Sequence, residues 1–372
     1  MITIHAMGDS LVTAYGEDEN NFIGGWGDHL QSFFCEEKVK VNVYAQGGRS
    51  SRSFLNEGRF VDTGIFTVNE FPYNMGPVCN RIKPGDYVLM QFCHNDDNSK
   101  DKLTYIDRMT PLGEPDAEGR YPTVVPTEEM KVSTASFPEE YPQVLIDDGA
   151  TQKEIEENRK KYEEILPAYG DTYYPYACGA TYKGYLKFYI DKVRELGAIP
   201  VLITAPARQY FEGGKIVAVP GHHGNKDAFG DFPYVRAVRQ LGVEENVAVA
   251  DLFRRSCELL EMLGSEDAQS LHSIKDENGL TIGEARYDRP RRWIDEYDRC
   301  WREQLFSDVD NTHQNRFGSY LYAAALTDCL YEQIPELKAY VLTESKKIMS
   351  CPERIKGRIP EIEAMIKRIR VR

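Results

Sequence analysis

Short apolar runs alternating with helix-like segments set the fold class of this chain. Residues 2–7, 39–45 (VKVNVYA), 86–92 (DYVLMQF), 198–205 (AIPVLITA) and 247–252 (VAVADL) read as strands. The third is apolar through its centre, as parallel strands covered on both faces are. Between the strands, residues 24–35 have helical spacing, with Trp26, Leu30, Phe33 and Phe34 on one side. Ser53 opens a short helix, residues 181–196 form a strongly amphipathic one closed by Gly197, and residues 234–241 form another. Strand, turn and helix in this rhythm predict an α/β protein whose parallel sheet is wound with helices on both faces.

Two stretches break the rhythm. Residues 97–178 are rich in Pro, Tyr, Glu and Asp, with a charged helical piece near 153–165. Residues 265–308 are polar and hold Trp293 and Trp301. Loops this long in a compact domain form caps or functional segments, so both are expected as insertions at the sheet edge of a single domain, residues 1–335. Residues 336–372 are expected as a C-terminal helical extension packed on it. From Lys346 onward Lys and Arg outnumber Asp and Glu, and Ile362, Met365, Ile366 and Ile369 share one side after Pro360.

The 372 residues carry a formal net charge of −14. Such a surface repels phosphate backbones and anionic head groups, which argues against nucleic acid and membrane partners. The eight cysteines are scattered with no C-x-x-C pair, which fits reduced thiols. No leader and no bilayer-length apolar run is visible, so a cytoplasmic protein is expected. The insertions could form a homodimer contact.

The chemistry concentrates at strand ends. Gly8-Asp9-Ser10, Gly47-Gly48-Arg49 and His94-Asn95-Asp96 each follow a strand, and Asp310-Asn311-Thr312-His313 lies after the last one. Wound sheets bind ligands beyond the carboxyl ends of their strands. A serine hydroxyl is a weak nucleophile until a base removes its proton. His313 can be that base for Ser10, and Asp310 can hold the imidazole in the required tautomer. The three-residue spacing lets both side chains face one way from a turn or helical start. The Ser10 and Gly48 amides and the Asn95 side chain are candidate oxyanion donors. The constellation predicts acyl transfer.

These four blocks, in this order, resemble the SGNH (GDSL-type) hydrolases: Ser10 in GDS, Gly48 in GGRSSRSF, Asn95 in HND and His313 in DNTH. The closer resemblance is to the rhamnogalacturonan acetylesterase branch, through Gly48–Ser53, Pro206, Arg208, Tyr210-Phe211 and Gly230-Asp231-Phe232-Pro233. It covers residues 1–96 and 181–335 but not the long insertion. It implies a flavodoxin-like three-layer α/β/α fold with a five-stranded parallel sheet. It also implies cofactor-free and metal-free removal of acetyl groups from sugars such as pectin-derived oligosaccharides. One position departs: the glycine usual two places before the third-block asparagine is Cys93 here, which narrows the pocket or shifts a turn and bears on substrate size.

Each assignment has a competitor. Ser10 could cap a helix, Gly48 could serve only a tight turn, and Asn95 could cap the next segment. His94 competes with His313 but lacks an acid at the D-x-x-H spacing, and reads as a packing or substrate-contact residue. Asp308 competes with Asp310. His222-His223 with Asp227 lack a third spaced metal ligand. Arg49, Arg52 and Arg208 either meet an acidic sugar or pair with the abundant acids. Tyr210 and the YYPY run (Tyr173, Tyr174, Tyr176) offer faces for sugar rings or for packing. The leading expectation is a carbohydrate acetylesterase acting through an acyl-enzyme on Ser10, with imported oligosaccharides preferred to polymer. A lipase or thioesterase of the same chemistry, and a non-catalytic sugar-binding protein of the same fold, are the alternatives.

Overall fold

The computed structural model describes residues 1–16, 23–62, 77–97, 110–127, 132–133, 173–174, 180–217, 232–276, 281–284 and 306–341, with short pieces of 151–160. In chain order the elements used below are β1 (Ile2–Gly8), β2 (Val39–Val43), α1 (Ser51–Asn56), β3 (Tyr87–Gln91), α2 (Tyr182–Glu195), β4 (Ile199–Ile203), α3 (Pro233–Glu244), β5 (Ala248–Ala250), α4 (Leu252–Asp267), β6 (His272–Asp276), β7 (Thr281–Glu284), β8 (Phe306–Gln314) and α5 (Arg316–Gln333). Strands β1–β5 form a five-stranded sheet in the order β2-β1-β3-β4-β5, the flavodoxin-like order of a three-layer α/β/α fold. Strands β7-β6-β8 form a separate three-stranded sheet. The chain divides into two compact units: Met1–Gly47 with Thr204–Val217 and Ala250–Arg372, and Gly48–Ile203 with Ala218–Val249.

In the first unit β1 and β2 run parallel, with Ile2 opposite Val39 and Ala6 opposite Val43. Ile4, Ala6 and Met7 are wholly buried, as a strand covered on both faces requires. Residues 24–35 are not the expected α-helix. They form two short 3-10 turns, Trp26–Asp28 and Leu30–Phe33. The four apolar side chains are buried as their spacing implied, but the backbone bonds are of the i→i+3 kind, such as Asp28 N to Gly25 O and Ser32 N to His29 O. A side chain decides this. The Gln31 amide donates to Val39 O at 3.1 Å and accepts from Val41 N at 2.7 Å, so it binds a strand as a peptide group would. Helix α5 follows Asn315, whose side chain accepts from Gly318 N. It is buried on nearly all sides, from Arg316 to Leu330.

In the second unit β3 and β4 pair in parallel, from Tyr87 opposite Ile199 to Met90 opposite Leu202. Helix α1 begins one turn earlier than expected: Ser50, not Ser53, is the N-cap. The two serines form a reciprocal box in which Ser50 Oγ accepts from Ser53 N and Ser53 Oγ accepts from Ser50 N. Helix α2 buries Tyr182, Tyr185, Leu186, Tyr189, Ile190 and Val193, an i, i+3, i+4, i+7 stripe. Its cap, Thr181, also accepts from Val124 N and donates to Pro122 O. That clamp lays residues 122–125 across the first turn, and a Cβ on Gly184 would run into the Val124 carbonyl.

A glycine inside a helix ordinarily costs about 1 kcal/mol against alanine. Here the sign is expected to reverse. Gly184→Ala should destabilise by about 1–3 kcal/mol through overpacking, read as a lowered Tm by differential scanning calorimetry.

Candidate active site

Sequence reading placed Asp310 and His313 after the last strand; they lie within β8. Strand β6 pairs antiparallel with β8, His272 opposite Gln314 and Ile274 opposite Val309. Between those pairs the single residue Ser273 faces the four residues 310–313, so the tetrapeptide loops out of the ladder as an enlarged bulge. Asp310 closes the loop from inside. Its Oδ1 accepts from Thr312 N at 2.9 Å and His313 N at 3.0 Å, an Asx-type turn. Its Oδ2 accepts from His313 Nδ1 at 2.9 Å. On a regular strand, residues three apart point to opposite faces; the loop turns these two toward each other. Asp310 is nearly inaccessible at 2% exposure, whereas the His313 side chain keeps 27%.

Ser10 follows β1. Asp9, wholly buried, braces the turn: its carbonyl accepts from Val12 N, Thr13 N and Thr13 Oγ1, and its carboxylate accepts from Leu11 N. The Ser10 hydroxyl lies 2.9 Å from His313 Nε2. A carboxylate only accepts, so Nδ1 of His313 carries the proton and Nε2 accepts from Ser10. The three side chains therefore form one directed chain, Ser10 Oγ to His313 to Asp310.

Neighbours hold this chain in place. Arg208 Nη1 donates to Thr312 Oγ1 at 2.6 Å, and Gln209 N donates to Asn311 O at 2.8 Å, so residues 208–209 strap the loop. Arg208 is buried. Tyr210 is half-buried, its N donating to Arg208 O. Sequence reasoning missed two residues. A side chain at Gly47 would meet Tyr15 Oη at 3.5 Å and Ser10 Cβ at 3.8 Å, so the phenol and the serine flank the same glycine. Burial, then the Asp9 and Asp28 carboxylates, push the Tyr15 hydroxyl well above its usual range, so it stays a proton donor. The second is His272, wholly buried, whose Nδ1 donates to the Asp310 carbonyl at 2.8 Å. Both lack a local signature; GDS, ending five residues before Tyr15, is the one hint.

In the second unit, Gly48 has φ +77°, a backbone conformation open to glycine at little cost. Asn95 Nδ2 donates to Arg49 O at 3.1 Å, and the same amide has a second N–H to give. The His94-Asn95-Asp96 turn is closed by Asp96 N and Asp97 N on the Cys93 carbonyl. Asp96 is fixed in turn by Ser51 N and Ser51 Oγ. His94, Cys93 and Arg52 are buried. Arg49 meets an acid: its Nε lies 2.9 Å from Glu57 Oε2, which also takes Arg59 at 2.5 Å.

His222, His223, Asp227, Gly230, Asp231, Tyr176, Trp293, Trp301 and the basic segment from Lys346 lie outside the described residues. Among the described residues, no group of three His, Cys, Asp or Glu could hold a metal ion, and no helix is long and apolar enough to cross a membrane.

No protein-family model matches the chain. It is 28% identical over 274 residues to the probable rhamnogalacturonan acetylesterase YesY of Bacillus subtilis, covering 73% of this chain and 80% of that protein. It is 23% identical to the rhamnogalacturonan acetylesterase RhgT of the same organism, over 73% of each. The crystal structure of Bacillus subtilis YxiM superposes on 89% of this chain and 56% of its own, with TM-score 0.46 and 19% identity.

Burial lowers the His272 imidazole from its usual 6.5 to about 4. The unfolded chain therefore takes up this proton first as the pH falls. The stability that a neutral His272 contributes is complete above pH 6.5 and is lost progressively down to about 4, by about 1.4 kcal/mol per pH unit. The Tm advantage of the wild type over His272→Asn should shrink across that window, in melts followed by circular dichroism.

Proposed function

We propose that this chain is a carboxylic ester hydrolase of the rhamnogalacturonan acetylesterase-like branch of the SGNH hydrolases, and that it removes O-acetyl groups from pectin-derived carbohydrate through an acyl-enzyme on Ser10. The observation that carries the reading is the Ser10–His313–Asp310 hydrogen-bond chain, with 2.9 Å at each link.

Ser10 Oγ attacks the acetyl carbonyl carbon while His313 Nε2 takes its proton. Asp310 stabilises the imidazolium and keeps its Nδ1–H aimed inward. The tetrahedral intermediate collapses, the sugar oxygen leaves with the proton from Nε2, and the acetyl group stays on Ser10. Water then attacks by the same route in reverse and acetate departs. Backbone N–H groups of Ser10 and Gly48 and the Asn95 side chain serve as oxyanion donors; that assignment rests on the order of the four sequence blocks. The names of the two Bacillus subtilis relatives support the substrate class.

Acetate release from acetylated rhamnogalacturonan oligosaccharides, other acetylated sugars and a nitrophenyl ester series should be highest on acetyl esters. A rate peak beyond butyrate would assign longer acyl chains instead. Ser10→Ala should lower kcat by at least about 10³-fold, and an unchanged rate would remove the acyl-enzyme. Asn95→Ala should lower kcat by about 10²–10³-fold, the usual loss for one oxyanion donor, with the melting curve preserved.

A further inference from the structure

We propose that His272 is a positioning residue for the Asp310–His313 pair: its imidazole supplies the ladder hydrogen bond that the 310–313 loop removes, and so holds the loop in the shape that aims Asp310 at His313. This rests on the esterase reading of the same site.

Every buried carbonyl in a sheet needs a donor. Where Ser273 alone faces residues 310–313, β6 has too few main-chain N–H groups to meet them. The Asp310 carbonyl is met instead by a side chain, His272 Nδ1 at 2.8 Å. The bond spans the mouth of the loop, because His272 is itself the residue paired with Gln314 on the far side. One residue thus stands at both ends of the looped segment, opposite Gln314 in the ladder and bonded to Asp310 through its ring.

The ring cannot swing away from this task. It is wholly buried, and the backbone that carries it is pinned. Asn315 Nδ2 donates to the His272 carbonyl at 3.1 Å, and Asn315 N donates to the Leu271 carbonyl at 2.9 Å. Asn315 is in turn held by Gly318 N on its Oδ1, so the start of α5 fixes β6 against the loop. Burial also keeps the imidazole neutral, and a neutral ring with Nδ1–H is the form that this bond needs. The Asp310 main chain then has a fixed place, and its carboxylate has both oxygens committed to residues 312 and 313. A small error in such an orientation costs rate without touching substrate affinity.

The experiment compares His272→Leu, which removes the donor, with His272→Asn, whose side-chain N–H takes the place of Nδ1–H. Three readouts are taken on each: kcat and KM for nitrophenyl acetate, the rate of Ser10 labelling by a fluorophosphonate, and the low-field proton resonance of the Asp310–His313 hydrogen bond by NMR. His272→Leu should lower kcat and the labelling rate at least about tenfold with KM within about twofold, and should broaden the low-field resonance or move it upfield. His272→Asn should restore both rates to within about threefold of wild type. If His272→Leu does not fold, His272→Gln, with the donor one methylene further out, should fall between wild type and complete loss. Wild-type rates and an unmoved resonance in the Leu variant, or in the Gln variant where Leu does not fold, would overturn the proposal. So would an Asn variant as impaired as Leu, because the donor would then be irrelevant. If the wild type hydrolyses no ester, the esterase reading fails, while the resonance still reports whether His272 sets the geometry of the pair.

Discussion

The first unit is organised around one buried carboxylate. Asp310 lies almost out of reach of water, where an uncompensated charge would cost several kcal/mol. Its two oxygens are met by three N–H groups, two of the main chain and one of an imidazole. Those bonds explain the D-x-x-H spacing physically. The carboxylate reaches the amides two and three residues ahead only if the chain curls back on itself, and the curl delivers the imidazole to the same carboxylate. The need to satisfy the buried charge and the need to orient the histidine have one solution.

The sheet was legible because its strands are short apolar runs with clear ends. Four of the five predicted runs contain a shorter observed strand, and the first strand runs one residue past its predicted end, to Gly8. The 24–35 segment was read correctly for burial and wrongly for backbone. Periodicity reports which side chains point inward, and it is blind to Gln31, whose amide competes with the helix by bonding to residues 39 and 41. The 265–308 stretch, read as a polar insertion, holds β6, β7 and the start of β8, strands that reading did not name.

The site residues divide in the same way. Ser10, Asp310 and His313 stand in short motifs whose spacing encodes their geometry, and the structure brings all three within hydrogen-bonding distance. His272 and Tyr15 reach that neighbourhood from separate parts of the chain, and nothing local in the sequence marks them. Of the arginines, Arg49 pairs with an acid, one of the two alternatives stated for it, and Arg208 bonds a threonine hydroxyl. In the second unit, phenols bond to main-chain carbonyls beside the HND turn: Tyr182 to Phe92 O, and Tyr234 to Asp96 O and Thr110 O. A tyrosine buried for this purpose brings apolar area and one donor together. That arrangement ties α2 and α3 to the turn that carries Asn95.

The Gln31 amide has a meaning beyond its local fold. Strand β2 is terminal in its sheet, and a terminal strand presents open peptide groups on which another polypeptide could grow. On the outward side of residues 39 and 41 those groups are already taken by a side chain of the same molecule. A foreign strand would have to evict an intramolecular partner that is held in register by its own 3-10 turn. At these two residues the border of the sheet is closed from within, which guards it there against edge-to-edge pairing.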